Sequence, residues 1–248
     1  MTFREMDGLM RVLDHDDDGL RPSESVLHRI EVAISQNLKP IRPLASSRIL
    51  LLGCAINFLS VVAVGALLLG INGWGALNVA QRIVLFVTLS VSAFSLAMSM
   101  VSQMVPGSRH VISPAVVIVA IPVALMMVIE ATFRFQREPA FLATGMMCMK
   151  NGLKYSIPGG FLLWLILRRG AVLYPKLAGA AAGGLAGLTG LSVLEVNCPN
   201  LNALHIVVWH VGVVVIGCVG GALLGGAVES LERLRKRERF FDERNFRT

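Results

Sequence analysis

The chain has 248 residues, of which 54% are hydrophobic and only 16% charged, with a formal net charge of +7 and a mean hydropathy of +0.67. That composition excludes an ordinary soluble domain and specifies an integral membrane protein. The basic residues sit in short loops and in a tail that follows directly on an apolar run. The surplus charge therefore indicates membrane orientation and contact with anionic lipid, not direct nucleic-acid binding, which clusters charge on a folded soluble face.

Residues 1 to 48 read as a cytoplasmic partner-binding segment. The first 45 contain no apolar run of signal-peptide length, so the N-terminus is expected to be retained. Phe3, Met6, Leu9, Met10 and Leu13 recur at helical spacing. Val26, Leu27, Ile30, Ala33, Ile34 and Leu38 do the same after Pro22 and Ser23, which suit a helix start. Two short amphipathic helices cannot bury their apolar faces alone and need each other, the lipid surface or a groove on another protein. The flanking residues Glu5, Asp7, Asp14, Asp16, Asp17 and Asp18 are acidic, which argues against simple membrane adhesion and for a basic protein partner. The stretch Asp14 to Gly19 opens like a calcium loop. Its twelfth position is Ser25 where such a loop requires a bidentate glutamate, so it reads as a solvated acidic turn.

Six stretches reach the roughly 20 apolar residues that cross a bilayer: Ile49 to Ile71, Ile83 to Val105, Val111 to Ile129, Cys148 to Leu167, Leu177 to Leu194 and Leu204 to Val228. The expected fold is all-α, with six transmembrane helices in residues 49 to 228 and a cytoplasmic tail over 229 to 248. The fourth span is the weakest. Its strongly apolar part covers only Ile157 to Leu167, and it must extend outward through Gly152, Lys154 and Tyr155 with the lysine stem snorkelling to the headgroups. With the N-terminus inside, the inner segments hold 18 of the 23 Lys and Arg and the outer loops 5. Both termini are then cytoplasmic, and Cys148 and Cys198 face outward.

The residues within the spans point to packing more than transport. None carries a central Asp, Glu, Lys or Arg of the kind that pumps keep for ion handling. Ser90, Ser92, Ser95 and Ser99 lie in the second span, and the last two, four apart, suit helix contact through small side chains and hydroxyl bonds. Gly179, Gly183 and Gly187 in the fifth span and Gly217, Gly221 and Gly225 in the sixth each form a doubled GxxxG, a face for close helix approach that serves either internal packing or a homo-oligomer. Cys54 and Cys218 lie within spans and read as small apolar packing groups. The tail after Glu229 mixes both charge signs with Phe240, Phe241 and Phe246, as in a juxtamembrane helix on the anionic leaflet or a frayed end.

Cys148 and Cys198 are different, because both stand at the outer end of the bundle in loop-proximal settings, Met146-Met147-Cys148-Met149 and Asn197-Cys198-Pro199-Asn200. A thiol there meets oxidants, soft metals or the other thiol. Met146, Met147, Met149 and His205 are candidate auxiliary ligands for a soft or borderline metal. A permanent disulfide clamp between two outer loops is the alternative. No carboxylate pair, nucleophile-base set or phosphate loop is found, so neither an enzyme nor a bound cofactor is expected.

The chain resembles the NrsF-type membrane anti-sigma factors in Cys148, in the run from Leu163 to Gly170, in the glycine-rich fifth span, and in Asn197-Cys198-Pro199 followed by Trp209 eleven residues after the cysteine. The resemblance implies a bacterial inner-membrane protein that sequesters an extracytoplasmic-function (ECF) sigma factor through its N-terminal segment. It implies that Cys148 and Cys198 are required for response to stress. The longer, acidic N-terminal segment and Asn197, where relatives tend to have histidine, depart from the pattern. A small metal or solute transporter or channel is the competing reading.

Overall fold

The structure is a computed structural model that describes residues 28–29, 31–32, 45–105, 112–136 and 138–245, with side chains described as far as residue 235. The chain divides into two compact units, Met1–Pro43 and Leu44–Thr248. In the first, His28, Arg29, Glu31 and Val32 are helical and exposed. The expected contact positions Phe3, Met6, Leu9, Met10, Leu13, Leu27, Ile30 and Ile34 lie outside the described residues, as does the acidic turn at Asp14 to Gly19.

The second unit comprises α1 (Ser47–Leu69), α2 (Asn72–Ala76), α3 (Val79–Ser102), α4 (Pro114–Thr132), α5 (Phe141–Leu167), α6 (Pro175–Asn197), α7 (Ala203–His205), a π-helical turn (Ile206–Val211) and α8 (Gly212–Asn245). Among the described residues there is no β-strand. Among the described residues, five helices are long and apolar enough to cross a membrane: α1, α3, α4, α6 and the continuous run Ala203–Arg235. At 27 residues α5 is long enough as well. It is not among the five, and Lys150, Asn151 and Lys154 interrupt the apolar character of its first half.

Successive long helices alternate in direction. At one end of the bundle the Asn197 amide of α6 donates to the Leu69 carbonyl of α1 at 2.5 Å. At the same end the Gln81 amide of α3 donates to the Thr132 carbonyl of α4 at 3.4 Å. At the opposite end Gly170, just beyond α5, packs on Met104, just beyond α3. The start of α6, at Pro175, lies there on Gly225 of α8. Since α5 begins beside the first set of contacts and finishes beside the second, it runs the length of the bundle.

The axis of that bundle is α6. Its most apolar window is 83% buried, against 17% in α4. A helix surrounded on every side must be thin, and α6 is built mainly from Ala, Gly and Leu with no aromatic side chain. Its Gly179 and Gly183 lie against the backbone of Gly221 and Gly217 of α8, and Gly187 lies against Val213 and Val214. Thus the two glycine faces meet each other inside one chain, where they allow main chains to touch. The outer helices turn large apolar side chains outward instead, among them Leu67, Leu68, Val119, Ile157, Leu223 and Leu224. Such an apolar exterior suits lipid as the solvent. Cys54 and Cys218 are buried in the apolar core, and the buried Asn57 ties α1 to α5 by donating to the Gly159 carbonyl at 3.3 Å.

Candidate functional site

Cys148 occupies the third turn of α5, and Cys198 is the C-terminal cap of α6. Two glycines bring neighbouring elements down onto them. A Cβ on Gly73 of α2 would stand 2.5 Å from the Cys198 carbonyl oxygen and 2.7 Å from that of Glu195, so only glycine lets α2 close over the end of α6. Gly145, one turn before Cys148, receives the Trp209 indole in the space a side chain would fill. Phe141 stacks beside that indole at 5.5 Å and meets the His205 ring edge-on at 6.5 Å, forming an aromatic wall.

The π-helical turn shapes the remaining side of the site. In α-geometry, residues five apart point about 140° away from each other. The wider turn over Ile206–Val211 closes i to i+5 instead. His205 and His210 consequently project together, with ring centroids 5.3 Å apart, and both are fully buried.

Four donor atoms converge here. The Cys148 thiol donates to the Cys198 sulfur at 3.6 Å, and the Cys198 sulfur lies 4.0 Å from His205 Nε2. With one donor atom taken from each of Cys148, Cys198, His205 and His210, all four lie within 4.8 Å of one another. His210 Nε2 is buried and faces the Cys198 sulfur without reaching hydrogen-bond geometry.

Each imidazole is held from behind by a carboxylate. His210 Nδ1 lies 2.7 Å from Glu195 Oε1, a residue itself buried in the last turn of α6. His205 Nδ1 lies 3.2 Å from Glu138 Oε2. A proton on each Nδ1, donated to its carboxylate, leaves the Nε2 lone pairs facing the sulfurs. Glu138 also accepts from Thr144 at 2.6 Å and from Asn200 at 2.9 Å, which joins the start of α5 to the loop after α6. Asn202 locks the same loops together, donating to the Gln136 carbonyl at 2.7 Å and accepting from the Gln136 amide at 3.2 Å.

Charge follows from these contacts. The Cys148 hydrogen bond holds the Cys198 thiol well below the usual thiol range; burial opposes this and the contact with His205 assists it. Burial pushes the Glu138 carboxyl up, but the bonds from Thr144 and Asn200, together with the contact with His205, outweigh that and leave it below its ordinary 4.5. A lowered carboxylate contributes stability above the unfolded value and loses it as pH falls through the folded one. The melting difference between wild type and Glu138→Gln is therefore expected to be constant at neutral pH and to shrink below pH 4.5. A difference that grows in acid would contradict the assigned sign.

The structure brings together Cys148, Cys198 and His205 of the residues singled out in the sequence. Met146 and Met147 are exposed, and Met149 packs toward Gly212 of α8. His210, Glu195 and Glu138 were not singled out. The signal for the first two was the presence of an ionisable side chain in or beside an apolar span; Glu138 carried no spacing signal at all. A family model described as negative regulator of sigma F matches residues 34–228. No curated protein and no solved structure matches the chain.

Proposed function

The chain belongs to the NrsF family, the negative regulators of sigma F, and from that premise we propose that it is a membrane-bound anti-sigma factor whose outward cysteine pair controls release of an ECF sigma factor. In this reading six helices cross the bacterial inner membrane, α5 included, and both termini lie in the cytoplasm. Residues 1 to 48 sequester the sigma factor there. Cys148 and Cys198 lie on the periplasmic side, a placement that the positive-inside charge distribution supports.

The observation that carries the reading is the 3.6 Å approach of the two sulfurs at one end of the bundle. A thiol pair at that distance responds to a two-electron oxidant or to a soft metal. With hydrogen peroxide, the two sulfurs join, their protons and two electrons pass to the oxidant, and it leaves as two waters. Either event changes how the end of α5 is tied to the α6–α7 connection. A bundle with two packings transmits such a bias to its far side by linkage.

Co-purification tests the output. Full-length protein in detergent is expected to capture its cognate sigma factor, and a chain lacking residues 1 to 45 is expected to capture none while remaining monodisperse. Undiminished capture by the truncated chain would remove the anti-sigma reading as stated. Solute uptake that survives the same truncation would favour a transporter.

A further inference from the structure

We infer that Cys148, Cys198, His205 and His210 form a tetrahedral Cys2His2 site for one divalent ion of the zinc class, with Glu138 and Glu195 orienting the two imidazoles. The inference goes beyond the cysteine pair of the functional reading, since it makes two histidines equal partners of the thiols.

Donor chemistry comes first. Two thiolates and two neutral imidazoles are the set that a borderline d10 cation takes in closed, four-coordinate sites. They also neutralise a 2+ charge, which matters at a site whose histidines are fully buried. Hard cations such as magnesium and calcium require oxygen donors and are poorly served.

Geometry narrows the choice further. Around a tetrahedral ion with metal–sulfur bonds of about 2.3 Å, two sulfurs stand about 3.8 Å apart. Cys148 and Cys198 already stand 3.6 Å apart. A disulfide needs the sulfurs at about 2.05 Å, so the pair as placed fits an intervening ion better than a direct bond. The sulfur-to-nitrogen separation of 4.0 Å at His205 exceeds the tetrahedral value of about 3.5 Å by only a small rotamer adjustment.

The unpartnered His210 Nε2 is the independent observation. With Nδ1–H directed at Glu195, Nε2 presents a lone pair to two sulfurs and a second imidazole, and a cation supplies the partner it lacks. The carboxylates complete the pattern. Metal-bound histidines characteristically donate their other ring N–H to a carboxylate, which fixes the tautomer and raises ligand basicity. Both histidines have such a partner, on Glu138 and Glu195. On binding, metal–sulfur bonds form, the remaining thiol S–H bonds break, and the released protons pass to water.

The test uses full-length protein in detergent or nanodiscs, stripped with chelator under reducing conditions and reloaded with zinc or cobalt(II). One ion per chain is expected by elemental analysis. The cobalt form is expected to show thiolate-to-metal charge transfer together with the intense visible bands of tetrahedral coordination. Cys198→Ser is expected to diminish the charge-transfer band. His210→Gln is expected to keep charge transfer but lose the tetrahedral visible pattern. Glu195→Gln, which keeps every ligand, is expected to weaken zinc binding about 10–100-fold. Size-exclusion profiles matching wild type guard against misfolding, and Glu195→Gln serves if His210→Gln fails to fold. Monodisperse wild type that takes up neither ion would overturn the proposal, as would a cobalt spectrum unchanged by His210→Gln. No sigma factor is present in these assays, so their outcome is separate from that of the capture experiment.

Discussion

Replacing Gly183 by leucine is expected to lower the stability of the bundle by at least about 3 kcal/mol, because the added side chain enters a backbone-to-backbone contact that has no rotamer to give. A Cβ at Gly183 would collide with the Gly217 carbonyl oxygen and stand 2.8 Å from the Gly217 carbonyl carbon and 3.1 Å from the Gly221 Cα. Relief requires α6 and α8 to separate along their whole shared face. The partner surface is reciprocal, since a Cβ on Gly221 would meet the Gly179 carbonyl in the same way. Gly220 is the control, on the same helix as Gly217 and Gly221 but with nothing within 4 Å of its added Cβ. Gly220→Ala is expected to leave the melting midpoint unchanged or to raise it slightly through helix propensity. Thermal unfolding in detergent decides the matter; equal midpoints for Gly183→Leu and wild type would refute the packing account.

The second large effect concerns regulation. Cys148→Ser or Cys198→Ser is expected to make transcription from the sigma-dependent promoters the same with and without oxidant or soft-metal stress. A serine hydroxyl neither forms a disulfide nor ligates a soft ion as thiolate does. The substitutions are nearly isosteric at half-buried positions, so protein levels in the membrane should hold. Retained stress induction in either variant would dismiss the thiols as the sensing groups. Thiol trapping in intact cells addresses the remaining alternative, because a permanent clamp keeps the same redox state before and after stress.

The sequence pattern reached the architecture and half of the site. Apolar runs of spanning length correspond to α1, α3, α4, α6 and the last helix, since long periodic segments depend little on their surroundings. The weakness foreseen around Lys154 recurs in α5, which is long but not uniformly apolar. The alternation of spans put Cys148 and Cys198 at one end, but their separation depends on how α5 and α6 pack, which no spacing encodes. The pairing of His210 with His205 was hidden for a geometric reason. Counted at 3.6 residues per turn His210 faces away from His205, and only the π-helical turn rotates it back. Glu138 is 67 positions from His205, a pairing made by loop closure alone. The doubled GxxxG was legible as a close-contact face, and its partner became clear only when both faces were seen to meet within one chain.

The π-helical turn has a mechanical side. It stands between His205 and the glycine face of α8 and includes His210, so it sets the angular phase at which Gly217, Gly221 and Gly225 meet α6. Relaxing that turn to α-geometry is equivalent to moving one residue through the helix, a screw motion of about 100° and 1.5 Å for everything downstream. The glycine seam tolerates no such rotation while α6 and α8 remain in contact. A rearrangement at the donor cluster thus either leaves the turn wound or unseats the seam, and α8 continues unbroken from that seam to Asn245. One continuous helix thus joins the histidine end of the glycine seam to the charged tail.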